Sequence, residues 1–212
     1  MTIKETYQTV LDRVNELNTN VNQHVSERAF INAFNKVQLH WLEERIKVAE
    51  ANQVRQEEIQ PFIETFSNGA QKVGDSLVLN LPTDYFRYSR VYGECSKDCE
   101  QVVHAYPREE GNAGRLLQDD LQRPSFEWAE TFFTLKGNTL HFYADFDCST
   151  ITLIYYRCPV VVDMEDVGGS NIDPELTKTN LEEVIDLTAL LVSGDTSNPR
   201  YQTIMNHIQQ FN

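Results

Sequence analysis

The chain has 212 residues, 41% hydrophobic and 24% charged, and its 32 Asp and Glu against 18 Lys and Arg leave a formal charge of −14. That length supports one substantial core, or two small units sharing one, and no apolar run approaches the ~18 residues a bilayer span needs. The acidic excess argues against a tight DNA binder, which needs clustered Lys and Arg on phosphates. The opening residues, Met1-Thr2-Ile3-Lys4-Glu5, lack the apolar stretch of a secretory signal, so the expectation is a product made or assembled inside a cell.

In chain order, residues 5–25 read as a first helix, with Tyr7, Val10, Leu11, Val14, Leu17 and Val21 at spacings of three and four. Ser26 is placed to cap a second, longer helix whose stripe is Phe30, Phe34, Val37, Trp41 and Val48, flanked by Ile31, Leu42, Ile46 and Ala49. So wide an apolar face suits a helix with neighbours on two sides. The helical pattern fades between Gln53 and Pro61, and Ser67-Asn68-Gly69 and Gly74-Asp75 then signal turns.

Strands are predicted at Leu77–Leu81, stopped by Pro82, at Tyr85–Tyr92, which reads as a strand or as a helical turn leading into one, and at Gln101–Tyr106. The polar stretch from Pro107 to Pro124 reads as a long loop carrying one short helical piece near Gly114–Leu121. Phe132–Leu135, Gly137-Asn138 and Thr139–Tyr143 form the clearest hairpin, and Thr150–Tyr156 is a further strand. Asp173-Pro174-Glu175 and Asn198-Pro199-Arg200-Tyr201 each look like the start of a helix, an N-cap followed by Pro at the first helical position. The plan is therefore α+β: an N-terminal helical hairpin and two C-terminal helices forming a bundle, with a central antiparallel β unit. Its parts are 1–66, then 67–162 with the long loop 107–124, then 163–212 completing the bundle as one composite domain.

Residues that could carry chemistry are sparse. The glycines at Gly111, Gly114 and Gly168-Gly169 do not sit between a strand and a helix as phosphate loops require. There is no Gly-x-Ser-x-Gly elbow, and the five histidines share no helical spacing. The adjacent carboxylates, such as Glu57-Glu58 and Glu182-Glu183, point about 100° apart on a helix and make poor acid–base pairs. Cys95-x3-Cys99 with His104 nearby has the form of half a zinc site, but Cys148 and Cys158 lack the tight spacing of a second half. Free half-buried thiols are the reading, with a zinc ion on Cys95, Cys99 and His104 as its alternative. The aromatic set Tyr85, Phe86, Tyr88, Tyr92, Trp128, Phe132, Phe133, Phe142, Tyr143 and Phe146 is read as β core rather than as an interaction surface. The chain is expected to be no enzyme and to hold no cofactor.

Several phrases occur in an order that points to one family. Leu81-Pro82-Thr83-Asp84-Tyr85-Phe86 resembles an "LPxDY" phrase, and Tyr155-Tyr156-Arg157-Cys158-Pro159 a "Y-x-R-x-P" strand end. Asp173-Pro174-Glu175-Leu176 is similar to an "x-x-E-L" helix start, and Asn198-Pro199-Arg200-Tyr201-Gln202 to the "N-x-P-R-Y-Q" opening of a last helix. Together they resemble the head-to-tail connector and neck ring proteins of short-tailed bacteriophages, particularly the crAss-like phages, and more distantly the tail tubular, or gatekeeper, proteins of podoviruses. The resemblance implies a structural virion protein, assembled in the bacterial host cytoplasm into a ring of about twelve copies. Its partners would be itself, the portal protein and the adjacent ring or tail proteins, with DNA as non-specific cargo in the channel and no membrane. Another virion component, or an acidic regulatory or adaptor protein, is the alternative. Three interface groups are expected: Phe30, Phe34, Trp41 and Ile46 between helices, within or between subunits; Arg108, Arg115 and Arg123 against acidic neighbours; and Arg200 and Tyr201 holding the start of the last helix against the β unit or another subunit.

Overall fold

The computed structural model describes residues 1–17, 25–51, 56–69, 71–74, 76–97 and 99–194. The chain divides into two units, residues 1–61 with 159–212, and residues 62–158.

In the first unit, α1 (Ile3–Leu17) and α2 (Glu27–Ala51) both pack on α6 (Lys178–Ser193). The short helices α3 (Gln56–Ile59) and α5 (Glu165–Gly168) belong to the same unit. Ile3, Tyr7, Val10 and Val14 are the buried stripe of α1, and Leu181, Val184, Ile185 and Ala189 that of α6. On α2 both the predicted stripe and its flank are buried, from Phe30 and Ile31 to Ala49, while Val48 is half-buried. Ser26 caps α2 as expected, its Oγ accepting the Ala29 amide at 3.3 Å.

The first turn of α1 is held by a reciprocal pair. Glu5 accepts the Thr2 amide at 2.8 Å, and Thr2 Oγ1 accepts the Glu5 amide at 3.3 Å. Asp173 does not cap a helix of its own: its carboxylate accepts the Ile3 amide at 2.7 Å, and α6 begins later, after Thr177. Glu175, likewise expected inside a helix, accepts the Val160 amide at 3.1 Å. Polar side chains of α2 fasten the extended segment 160–162. Asn35 exchanges two hydrogen bonds with the backbone of Val162, at 2.9 and 3.1 Å, and Gln38 donates to Val160 O at 2.9 Å.

The second unit is one eight-stranded sheet, β1 (Ile63–Asn68), β2 (Gln71–Val73), β3 (Ser76–Asn80), β4 (Tyr85–Ser96), β5 (Glu100–Pro107), β6 (Glu130–Lys136), β7 (Thr139–Tyr143) and β8 (Asp147–Arg157). The spatial order is β1-β8-β4-β5-β6-β7-β3-β2. Every pair is antiparallel except β5–β6, which is parallel. The two edge strands are neighbours in sequence. Three chain steps separate Asn68 from Gln71, at most ~11 Å, so the sheet's ends must meet at one corner and the sheet curls into a half-barrel. Val91, Val103, Phe133, Leu140, Phe142, Ile151 and Leu153 are buried in its main apolar cluster. Three register shifts along β4 against β8 supply local bends.

The expected fold, a helical bundle with a central antiparallel β unit, is therefore corrected: the curled mixed sheet dominates. Two physical causes account for the miss. β1 and β2 are short, polar edge strands with little buried surface to pattern them, and the parallel β5–β6 pair joins segments whose alternation says nothing about direction.

Two of the resemblance phrases meet in this unit. Tyr85 pairs in register with Arg157, and Tyr88 with Tyr155. The Tyr155 hydroxyl donates to Asp84 at 3.0 Å, the Cys158 amide donates to Asp84 O at 2.7 Å, and the Tyr85 and Tyr155 rings stack 5.9 Å apart. Burial, reinforced by Asp84, pushes the Tyr155 phenol up to about 12. Burial also raises the Cys158 thiol.

Candidate interaction surface

The parallel β5–β6 pair obliges the chain to cross over between them, and residues 108–129 are that crossover. They include the segment expected as a long loop, and they are fastened to the sheet. Helix α4 (Ala113–Gln118) buries Ala113 and Leu116 against Phe132 and Tyr143, whose rings stack at 4.6 Å. Thr134 Oγ1 bonds the Glu110 carboxylate, and the Arg108 amide donates to Phe133 O at 2.9 Å.

Beyond α4 the chain makes two tight turns. In the first, Asp119 accepts the Leu121 amide on its side chain and the Gln122 and Arg123 amides on its carbonyl. The second runs from Ser125 to Glu130, closed by a pair of backbone bonds at 2.9 and 3.1 Å between these residues. Inside it the Trp128 amide donates to Ser125 Oγ at 3.3 Å, and the Ala129 amide to Phe126 O at 3.1 Å. Ala129 takes φ 54, the left-handed region, and its carbonyl accepts the His104 amide at 2.9 Å. Phe126 is the buried anchor, its ring 5.4 Å from Phe146 and its carbonyl taking a bond from the Gln101 side chain.

The anchoring leaves Trp128 76% exposed and Leu121 90% exposed. A backbone so thoroughly bonded, with one residue in a conformation that costs ~1–2 kcal/mol, holds these two apolar side chains out in water. Trp128, Leu121, Tyr106, Arg108, Arg123 and Lys97 line one cleft of about 400 Å³. A protein partner can bury Trp128 and Leu121 there, beside a lining of mixed charge in which Lys97, Arg108 and Arg123 stand with Asp120, Glu127, Glu130 and Asp145.

Of the expected interface groups, Phe30, Phe34, Trp41 and Ile46 are buried within the chain, the first of the two placements expected for them. Trp41 Nε1 donates to Glu183 at 3.0 Å, Arg45 bonds the same carboxylate, and Arg45 also meets Glu58 at 3.4 Å. Arg108, Arg115 and Arg123 are all exposed, and the structure brings the first and third into the cleft with Trp128. Arg123 pairs with Asp120 at 3.4 Å. Arg200 and Tyr201 lie outside the described residues.

The cysteines correct the sequence reading. Cys95 and Cys148, opposed in the β4–β8 register, form a disulfide, while Cys99 and Cys158 are free. A sulfur in a disulfide is not a thiolate ligand, so the zinc alternative on Cys95, Cys99 and His104 loses its first member. No group of three or more His, Cys, Asp or Glu among the described residues is arranged to hold a metal ion. His104 lies on β5 beside Tyr92, and His141 is held between Ser76 Oγ and Thr139 Oγ1.

Sequence reasoning missed Trp128 by treating the aromatics as a class. Phe132, Phe133, Phe142, Tyr143 and Phe146 are indeed buried. The one signal that separated Trp128 was its place outside any alternating run, three residues after the Pro124-Ser125 turn. A scan against protein-family models finds no match, and neither does a search of curated proteins.

Proposed function

We propose that this chain is a structural protein of a virus particle, assembling through the Trp128 cleft into a ring of the head-to-tail connector of a short-tailed bacteriophage. The observation that carries the reading is the rigid presentation of Trp128 and Leu121 to water. Covering a Trp side chain removes roughly 150–250 Å² of apolar surface, and central Trp residues are typical anchors of protein interfaces. The ordered phrases support the connector class, and two of them converge on the Asp84–Tyr155 joint. The charge of −14 suits the wall of a conduit, because a DNA duplex is repelled rather than captured.

Quantitative mass spectrometry of purified particles tests the proposal. A copy number matching that of the portal protein, near a dozen per particle, supports a ring at the neck. Absence from particles overturns the virion reading, and hundreds of copies move the protein to the capsid shell and overturn the ring.

A further inference from the structure

We propose that the gap where β4 and β5 part is a docking groove for an extended acidic segment of a partner protein, which adds as a strand to the open edge of β4. β4 pairs with β8 from Tyr85 to Ser96, but with β5 only from Val91 to Ser96. The cause lies in β5. The His104 and Arg108 amides both donate toward β6, to Ala129 O and Phe133 O, so the backbone groups of Ala105 and Pro107 face β4. Carrying the register on from Val91↔Ala105 sets Pro107 opposite Ser89. Proline has no N–H to give, so the ladder stops there. The register shift between Tyr88 and Arg90 bends β4 at the same place.

What remains is a cleft of about 360 Å³ whose lining includes Tyr88, Ser89, Arg90, His104, Tyr106 and Phe133, a size within the range of ligand clefts. Its two sides differ in chemistry. Toward the core lie the Tyr88 and Phe133 rings, edge to face at 5.2 Å, both packed with the main apolar cluster. Toward solvent stand Arg90, His104 and Tyr106, all exposed. No Asp or Glu among the described residues lines this cleft, whereas four line the Trp128 cleft. Glu130, paired with His104 across β5–β6, is one of those four. In a chain of net charge −14, this groove is complementary to an anionic partner.

The groove's chemistry specifies its occupant. A strand laid on the β4 edge gains main-chain hydrogen bonds and sends alternate side chains to opposite faces. One set meets Tyr88 and Phe133 and is apolar; the other meets Arg90 and is acidic. The ligand is therefore an extended run of alternating apolar and acidic residues, free of proline where the ladder forms. Tyr106 lines both this cleft and the Trp128 cleft, so the two surfaces are continuous. The groove's own chemistry does not depend on the ring reading.

The test titrates the full chain into fluorescein-labelled acetyl-Val-Glu-Val-Glu-Val-amide at low ionic strength, read by fluorescence anisotropy, with amide-resonance NMR of the chain locating the contact. Binding is expected, with the Ser89, Arg90 and Val91 amides shifting. Arg90→Gln should weaken it about tenfold, as the loss of one hydrogen bond to a charged group does. Arg28→Gln, at an exposed position of α2, should leave it unchanged. Two altered peptides separate strand addition from plain charge attraction. Val-Lys-Val-Lys-Val should not bind, and Val-Glu-Pro-Glu-Val, which lacks the central N–H, should bind about tenfold more weakly or worse. Equal binding of either altered peptide, undiminished binding by Arg90→Gln, or resonance shifts confined to other residues overturns the proposal. So does no binding at about 1 mM protein.

Discussion

Trp128 and Tyr155 show how differently two aromatic side chains of one sheet unit are used. Trp128 contributes little to folding because most of it stays in water. Trp128→Ala is expected to change unfolding free energy by no more than ~0.5 kcal/mol while weakening assembly by about 2 kcal/mol or more, some 30-fold. Chemical denaturation and sedimentation velocity on the same sample check both halves. Tyr155 is buried with its hydroxyl on Asp84, so the folded state favours the neutral phenol, whose pKa rises from about 10 to about 12. That contribution to stability is full below pH 10 and is lost as pH climbs from 10 through 12. Tyr155→Phe should flatten this alkaline decline in a melting series from pH 8 to pH 12, and an unchanged slope would refute the assignment. Arg45 binds both Glu183 and Glu58. With a partly exposed guanidinium, Arg45→Ala should cost about 1–3 kcal/mol, between the values for surface and buried pairs.

At the scale of elements, Gly93 is a position on β4 with no room for a side chain. A Cβ there would lie 2.9 Å from Cys95 Sγ and 3.0 Å from Phe142 Cζ. Gly93→Ala is expected to cost about 1–3 kcal/mol by overpacking, read from the shift in denaturant midpoint at constant slope. What the sequence disclosed follows the same logic. β3 to β8 were legible because each carries a run of β-branched, aromatic or other apolar residues, as in Thr139–Tyr143. β1 and β2 were not, since Ile63–Asn68 buries little and Gln71–Val73 is wholly exposed. Asp173-Pro174 misled because a good N-cap residue serves whichever amide the fold brings to it, here that of Ile3. Arg108 and Arg123 were legible as members of a polar segment, but Trp128 became meaningful only once Phe126 was seen anchored and Ala129 turned.

At the scale of the molecule, the Cys95–Cys148 bond spans 53 residues of chain. Replacing both cysteines with Ser should lower stability by about 2–4 kcal/mol, chiefly by freeing the unfolded chain, and a thermal melt of the double variant against the oxidised parent measures it. A disulfide was not anticipated because compartment, rather than spacing, governed the expectation, and only the β4–β8 register sets the two thiols side by side. The interrupted first unit has a consequence for biosynthesis. α1 and α2 leave the ribosome with apolar faces completed only by α6, and the whole stretch 62–158 is made in between. At ~5–20 residues per second that is a wait of roughly 5–20 s. The nascent helices are therefore exposed to chaperones, or to each other on neighbouring ribosomes, for longer than most folding steps take.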